Sequence, residues 1–205
     1  MCTKRNHCTP ANRSVPDVQE QRANWNGLLA EHDTKNLVFL DESGVNINLT
    51  RRYGRAKGGA RVCDDVPLAT PKNTTVLSSI RTSGECIYTT YSGGTTTEKF
   101  IEYLEKHLLP TLDKEKDVLI MDNMRTHHAN AVQAVLAASG VKVLFLPPYS
   151  PDLNPIERLW SKMKSILRHE KVRSADELSD AVARAFSCIS HADCLAWFRI
   201  VTLER

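Results

Sequence analysis

The chain has 205 residues, 41% apolar and 25% charged, and its 27 Lys and Arg outnumber its 24 Asp and Glu only slightly. That length holds one full domain, or one with a small appendage, and buries a core without disulfides or structural metals. No apolar run nears the roughly 18 residues of a membrane-spanning helix, and the N-terminal MCTKRNHCTP has no apolar stretch behind its basic residues, so it is no secretory signal. A net charge of +3 excludes a histone-like polycation, but not a nucleic-acid binder with segregated charges.

Six cysteines, at 2, 8, 63, 86, 188 and 194, include no C-x-x-C pair. They read as free packing thiols in a reducing, cytoplasmic setting.

Residues 1–35 are rich in Asn and Pro, but Val18, Trp25, Leu28 and Leu29 recur at near-helical spacing and predict a short helix over 18–30. Leu37-Val38-Phe39-Leu40 is an apolar run ending in Asp41-Glu42-Ser43-Gly44. Residues 43–72 are polar and rich in Gly and Arg, and read as an insertion. Thr74–Ile80 and Cys86–Tyr91 predict a hairpin. Thr97–Leu112 reads as a helix with Phe100, Ile101, Leu104 and Leu108 on one stripe. Val118-Leu119-Ile120-Met121 is a second apolar run, followed by Asp122-Asn123. Ala129–Ser139 predicts a helix closed by Gly140. Val141–Leu146 predicts a strand stopped by Pro147-Pro148, and Asn154–Arg168 and Ser174–Ile189 predict two amphipathic helices.

This order predicts an α/β fold with a mixed sheet flanked by helices. The two apolar tetrads suit central strands covered on both faces, as in parallel pairing. Ligands of open α/β sheets gather beyond the carboxyl ends of such strands, where Asp41 and Asp122 would lie side by side. Two such charges repel unless a cation lies between them, and Mg²⁺, Mn²⁺ or Ca²⁺ takes carboxylate oxygens. Glu157 is the candidate third ligand. Asn154 suits an N-cap and Pro155 the first helical position, which puts Glu157 in the first turn. The plain alternatives are an Asp in a turn after each strand and a Glu bonded back to its helix cap.

On the helix opened by Asn154, about 100° per residue puts Ile156, Leu159, Trp160, Met163, Ile166 and Leu167 on one face. Glu157, Ser161, Lys164 and Arg168 share another. That polar face suits a metal site beside a phosphate backbone, or a solvated surface with i,i+4 pairing. Arg51, Arg52, Arg55, Lys57 and Arg61 form one basic cluster, and Arg158, Lys162, Lys164, Arg168, Lys171 and Arg173 another. Two such clusters flanking three carboxylates fit an anionic polymer.

Leu37–Gly44, the Arg52-Tyr53-Gly54-Arg55-Ala56 stretch, Val118–Asn123 and above all PPYSPDLNPIERLW at 147–160 resemble the catalytic domain of DDE transposases. The nearest branch is the bacterial insertion-sequence transposases of the IS-six-thirty type, related to mariner elements. The resemblance runs from about Trp25 to the C-terminus, and the 34 residues between Asp122 and Glu157 match its spacing. It implies an RNase H-like fold over residues 36–170, with insertion 43–72 bridging a homodimer or reaching DNA. Residues 1–35 become a residual linker and helix, and 171–205 a helical extension packed on the domain. It implies that Asp41, Asp122 and Glu157 bind two Mg²⁺ ions, replaceable by Mn²⁺, with Glu42, Asn123 and Asn154 as neighbours of the ligands. The activity implied is cleavage and strand transfer on double-stranded DNA, at transposon ends and target.

Family members also carry an N-terminal helix-turn-helix region for which residues 1–35 have no room. A truncated or split-frame form is therefore expected, binding DNA weakly and with little sequence preference. The competing reading is a catalytically idle remnant that only binds DNA. A nucleotide hydrolase does not fit, because Lys57-Gly58-Gly59 is no phosphate loop.

Overall fold

The computed structural model describes residues 16–50, 56–61, 63 and 72–202. Five strands, β1 (Leu37–Val45), β2 (Thr74–Ile80), β3 (Cys86–Ser92), β4 (Val118–Met121) and β5 (Lys142–Phe145), form one sheet in the order β3-β2-β1-β4-β5. β1, β2 and β3 are antiparallel neighbours, while β4 runs parallel to both β1 and β5. Among the described residues the α-helices are α1 (Pro16–Ala30), α2 (Thr97–Tyr103), α3 (Asn130–Ser139), α4 (Ile156–Glu170), α5 (Ala175–Ser187) and α6 (His191–Thr202).

Side chains alternate across a strand, so each central strand feeds two cores. Leu37 and Phe39 face a layer built from Trp25, Leu29, the apolar face of α4, and α5 and α6. Val38, Leu40, Leu119 and Met121 face Phe100, Tyr103, Leu104, Val132 and Leu136 of α2, α3 and the turn after α2. The mixed sheet covered on both faces is the expected fold class, and it explains why both tetrads are apolar at every position.

Several boundaries differ from expectation. β1 does not stop at Leu40: Asp41 to Val45 stay paired with Ser78 to Thr74 of β2. The segment read as an insertion from residue 43 thus leaves the sheet only after Val45. A Cβ at Gly44 would stand 2.8 Å from the side-chain nitrogen of Asn73, an exposed side chain that can swing aside. α2 keeps α-geometry only to Tyr103, continuing as a wider π turn over Leu104–Leu108 and a tight 3₁₀ turn over Leu109–Thr111. Pro110 has no amide hydrogen to donate, and its ring crowds the preceding turn, so a regular helix cannot reach Leu112.

Of the four residues whose spacing predicts α1, Leu28 is exposed, whereas Val18, Trp25 and Leu29 are buried. α6 completes the helical extension expected over 171–205, although no helix bounds were predicted beyond Ile189. Ser190 and Asp193 cap it reciprocally: the Asp193 carboxylate accepts from the Ser190 amide at 2.9 Å, and Ser190 Oγ from the Asp193 amide at 3.2 Å. Phe198 of α6 then packs edge-on against Phe39 at 5.3 Å.

Candidate active site

The parallel pairing of β1 with β4 ends at Leu40 and Met121, so the next residues, Asp41 and Asp122, emerge together at the edge of the parallel half of the sheet. Asp41 is held by the continuing β1–β2 ladder rather than standing at a strand end. Asp122 starts a turn in which its carboxylate accepts from the Met124 amide at 3.2 Å. Glu157 enters from α4, whose apolar face is buried through Ile156, Leu159, Trp160, Met163 and Leu167.

The helix opens differently from the expected cap. Pro155 takes the cap position. Asn154 uses its side-chain oxygen to accept from the Ile156 amide at 3.4 Å, while its own amide bonds the Pro151 carbonyl at 3.2 Å. That amide is therefore not available for a back-bond from Glu157, whose side chain is exposed.

Asp41, Asp122 and Glu157 line one pocket of about 500 Å³ with Asn123, Asn154 and Tyr149. Asp41 is 7% exposed and accepts three donors: the Glu42 amide on Oδ1 at 2.7 Å, and Asn154 Nδ2 and the Trp160 indole on Oδ2, each at 3.2 Å. An ionised carboxylate has about four lone-pair directions, so one remains for the pocket. Burial, and then the charges of Asp122 and Glu157, push the Asp41 carboxyl up to about 7, against the pull of its hydrogen bonds. Glu157 is raised by the desolvating pocket walls and by Asp122, although Lys164 pulls the other way.

The arrangement is an acidic cluster whose members destabilise one another's charge. Its donors are all hard oxygens, which fit Mg²⁺ or Mn²⁺ in chemistry and sign. Among the described residues, however, no three His, Cys, Asp or Glu side chains are already gathered around one point. Glu157 is the most exposed of the three carboxylates.

The family described as DDE superfamily endonuclease matches residues 36–179. The chain belongs to the DDE superfamily of endonucleases. An uncharacterised protein, y4pE/y4sA, of Sinorhizobium fredii is 28% identical over 105 residues, covering 51% of this chain and 68% of that one. Among solved structures, the Mos1 transposase paired-end complex with left transposon end superposes with a TM-score of 0.80 at 19% identity, over 98% of this chain and 64% of that chain. The Mos1 mariner paired-end complex with Mn gives 0.81 at 20% identity, again over 98% and 64%. The catalytic domain of Mos1 mariner transposase alone gives 0.70 at 17% identity, over 96% and 91%. The fold is thus that of an RNase H-like transposase catalytic domain, and the chain spans 64% of the longer Mos1 chain.

In this DDE endonuclease domain the expected neighbours of the three carboxylates divide. Asn154 donates to Asp41, and Asn123 lines the pocket with its Oδ1 2.5 Å from His128 Nε2. Glu42 does not line it: alternation along β1 turns its carboxylate to the other face, where it accepts from Thr95 Oγ1. Of the predicted basic residues, Lys164 and Arg168 are half-buried on α4. Burial holds the Lys164 ammonium below the usual lysine range, although Glu157 and Asp41 pull it up. Lys57 and Arg61 are exposed and away from the pocket lining, and Arg51, Arg52 and Arg55 lie outside the described residues.

Sequence reasoning missed two supports. Trp160 was placed on the apolar face of α4, yet its indole N–H reaches Asp41. His127, 1% exposed, puts Nδ1 2.9 Å from the Asp122 carboxylate and 3.1 Å from its carbonyl, with its ring stacked on Phe100 at 4.5 Å. Burial alone would lower its pKa, but Asp122, followed by Glu42, outweighs it and holds the imidazole above the ordinary histidine value. The spacing from Asp122 to His127 was the available signal, because a tight turn after a strand brings such a side chain back onto the strand end.

Proposed function

We propose that this DDE domain is a divalent-metal-dependent polynucleotidyl transferase that cuts a DNA strand and joins a freed 3′-hydroxyl to target DNA. The observation that carries the reading is the pocket lined by Asp41 of β1, Asp122 of the turn after β4 and Glu157 of α4, with Asp41 and Glu157 raised by desolvation and by the acidic groups around them. Asp41, Asp122 and Glu157 would hold two Mg²⁺ or Mn²⁺ ions. When bound, these supply the positive charge that stabilises the attacking and leaving oxygens of an in-line displacement at phosphorus. The protein's own work is positioning. Trp160 and Asn154 fix Asp41, His127 fixes Asp122, and Lys164 and Arg168 line the face along which a phosphate backbone approaches.

The 147–160 segment further supports membership of the IS-six-thirty type branch. Duplex DNA, at transposon ends and target, is the proposed partner. The proposal includes a homodimer assembled on DNA and a cytoplasmic location. Among the described residues no helix is long and apolar enough to cross a membrane.

A second reading, an idle remnant that only binds DNA, draws on the same carboxylates not being gathered in advance around one point. Nicking of supercoiled plasmid in Mn²⁺ separates the two. The wild type is expected to nick, and Asp41→Asn/Asp122→Asn/Glu157→Gln to lose the activity while still binding DNA. Equal rates, or none in either protein, would favour the remnant.

A further inference from the structure

α1 lies before the stretch matched to the DDE family, yet one of its side chains reaches the pocket wall. Arg22 forks onto Asp152, NH1 to Oδ1 at 3.2 Å and NH2 to Oδ2 at 2.7 Å, and NH1 also donates to Ser150 Oγ. Ser150 Oγ in turn donates to the Pro148 carbonyl at 3.0 Å. The Arg22 and Asp152 side chains are only 11% and 28% exposed, and a forked, half-buried pair of this kind is stronger than a surface ion pair.

What the fork holds is the segment from Pro147 to Leu153, whose residues Pro147 to Pro151 wall the carboxylate pocket. Pro147, Pro148 and Pro151 leave it no sheet ladder. Its local backbone bonds include the short turn in which Leu153 bonds Ser150 at 3.0 Å, and Tyr149 takes a left-handed conformation at φ 56. A bulky residue at positive φ needs surroundings that fix it. The next residue after this segment is Asn154, which donates to Asp41, and Glu157 follows within one helical turn.

We propose that Arg22 is a positioning residue. From α1 it clamps the pocket wall, and through Asn154 and the start of α4 it sets the spacing of Asp41 and Glu157. This deepens the metal reading and rests on it. Three roles for Arg22 predict different outcomes for cation binding. A positioning role means that loss of the fork weakens binding. A purely electrostatic role means the reverse, since removing a positive charge near the pocket favours a cation. A purely structural role lowers the melting temperature and leaves the affinity of the folded protein unchanged.

The test uses the full chain as wild type, Arg22→Ala, Arg22→Lys and Asp152→Asn. Amide hydrogen exchange without metal reads the clamp, and a Mn²⁺ titration followed by electron paramagnetic resonance reads its consequence. In Arg22→Ala, peptides covering 148–154 are expected to exchange at least tenfold faster while β1 and β4 keep wild-type protection. Its Mn²⁺ affinity is expected to fall at least fivefold. Arg22→Lys keeps the charge but not the fork, so it should fall between the two, and Asp152→Asn should resemble Arg22→Ala. Unchanged exchange over 148–154 overturns the clamp. Faster exchange with wild-type or tighter Mn²⁺ binding overturns the positioning role. A wild type that binds no Mn²⁺ refutes the metal reading and its consequence for affinity, leaving the exchange rates to judge the clamp itself. Should Arg22→Ala fail to fold, Arg22→Lys and Asp152→Asn carry the same comparisons.

Discussion

Asp41 is nearly buried, and its carboxyl titrates near 7 in the folded protein against near 4 in an unfolded chain. Between those values the folded state holds a proton that the unfolded state has lost, so this group makes stability fall as pH rises from about 4 to about 7. At about 1.4 kcal/mol per pH unit, the loss is on the order of 4 kcal/mol at pH 8. Asp41→Asn removes the charge at nearly constant shape, but an amide has one oxygen for donors on two sides. Either the Glu42 amide, or Asn154 and Trp160, then face an NH₂ group, at a cost of about 1–3 kcal/mol.

The net expectation for the metal-free protein at pH 8 is a gain on the order of 1–3 kcal/mol, read as a melting temperature several degrees higher. Near pH 5 the gain should shrink or reverse, because there Asp41 is protonated in the fold. Strand cleavage should be lost, along with the rise in melting temperature that Mn²⁺ gives the wild type at pH 8. Thermal melts of both proteins in EDTA at pH 5 and pH 8 check this. A difference that does not change with pH, or that turns against the Asn variant as pH rises, would refute the reasoning.

Glu157→Gln should melt within about 1 kcal/mol of the wild type, because the side chain is exposed and the Asn154 amide is already bonded to Pro151. It should lose Mn²⁺-dependent nicking in a plasmid assay. Lys164→Gln and Arg168→Gln should each weaken duplex binding and reduce the slope of log affinity against log salt by about 1, measured by fluorescence anisotropy over a salt series. Asp117→Ala should lower stability in a urea melt by about 1–3 kcal/mol, since Arg81 keeps its ion pair with Glu85 at 3.3 Å. The Arg81 guanidinium that forks onto Asp117 at 2.9 and 2.7 Å, and the Asp113 amide at 2.8 Å, would lose these bonds.

The three carboxylates were legible because each follows a strong local pattern. Asp41 and Asp122 stand after apolar tetrads, and Glu157 sits behind an Asn-Pro helix start. The sheet was legible for the same reason, since strands buried on both faces are apolar throughout. What escaped were polar contacts between distant parts of the chain. Trp160 reaches Asp41 across 119 residues and Arg22 reaches Asp152 across 130. Such pairs leave no periodic trace, and Trp160 fitted the apolar stripe of α4 perfectly well as a hydrophobe. α6 was hidden differently. Its apolar residues form a weak stripe, and its clearest local signal, the Ser190 and Asp193 cap, directly follows a helix expected to run to Ile189, so the extension over 171–205 carries no marked boundary between α5 and α6. The end of α2 shows that Pro110 outweighs an otherwise continuous apolar pattern.

The central claim is that Asp41, Asp122 and Glu157 together hold divalent metal. A crystal grown in Mn²⁺, with anomalous difference density measured at long wavelength, tests it most directly. Two peaks are expected within the pocket, each at about 2–2.6 Å from oxygens of these three side chains, with Glu157 turned inward. An empty pocket at millimolar Mn²⁺, or peaks only at other carboxylates, would contradict the account.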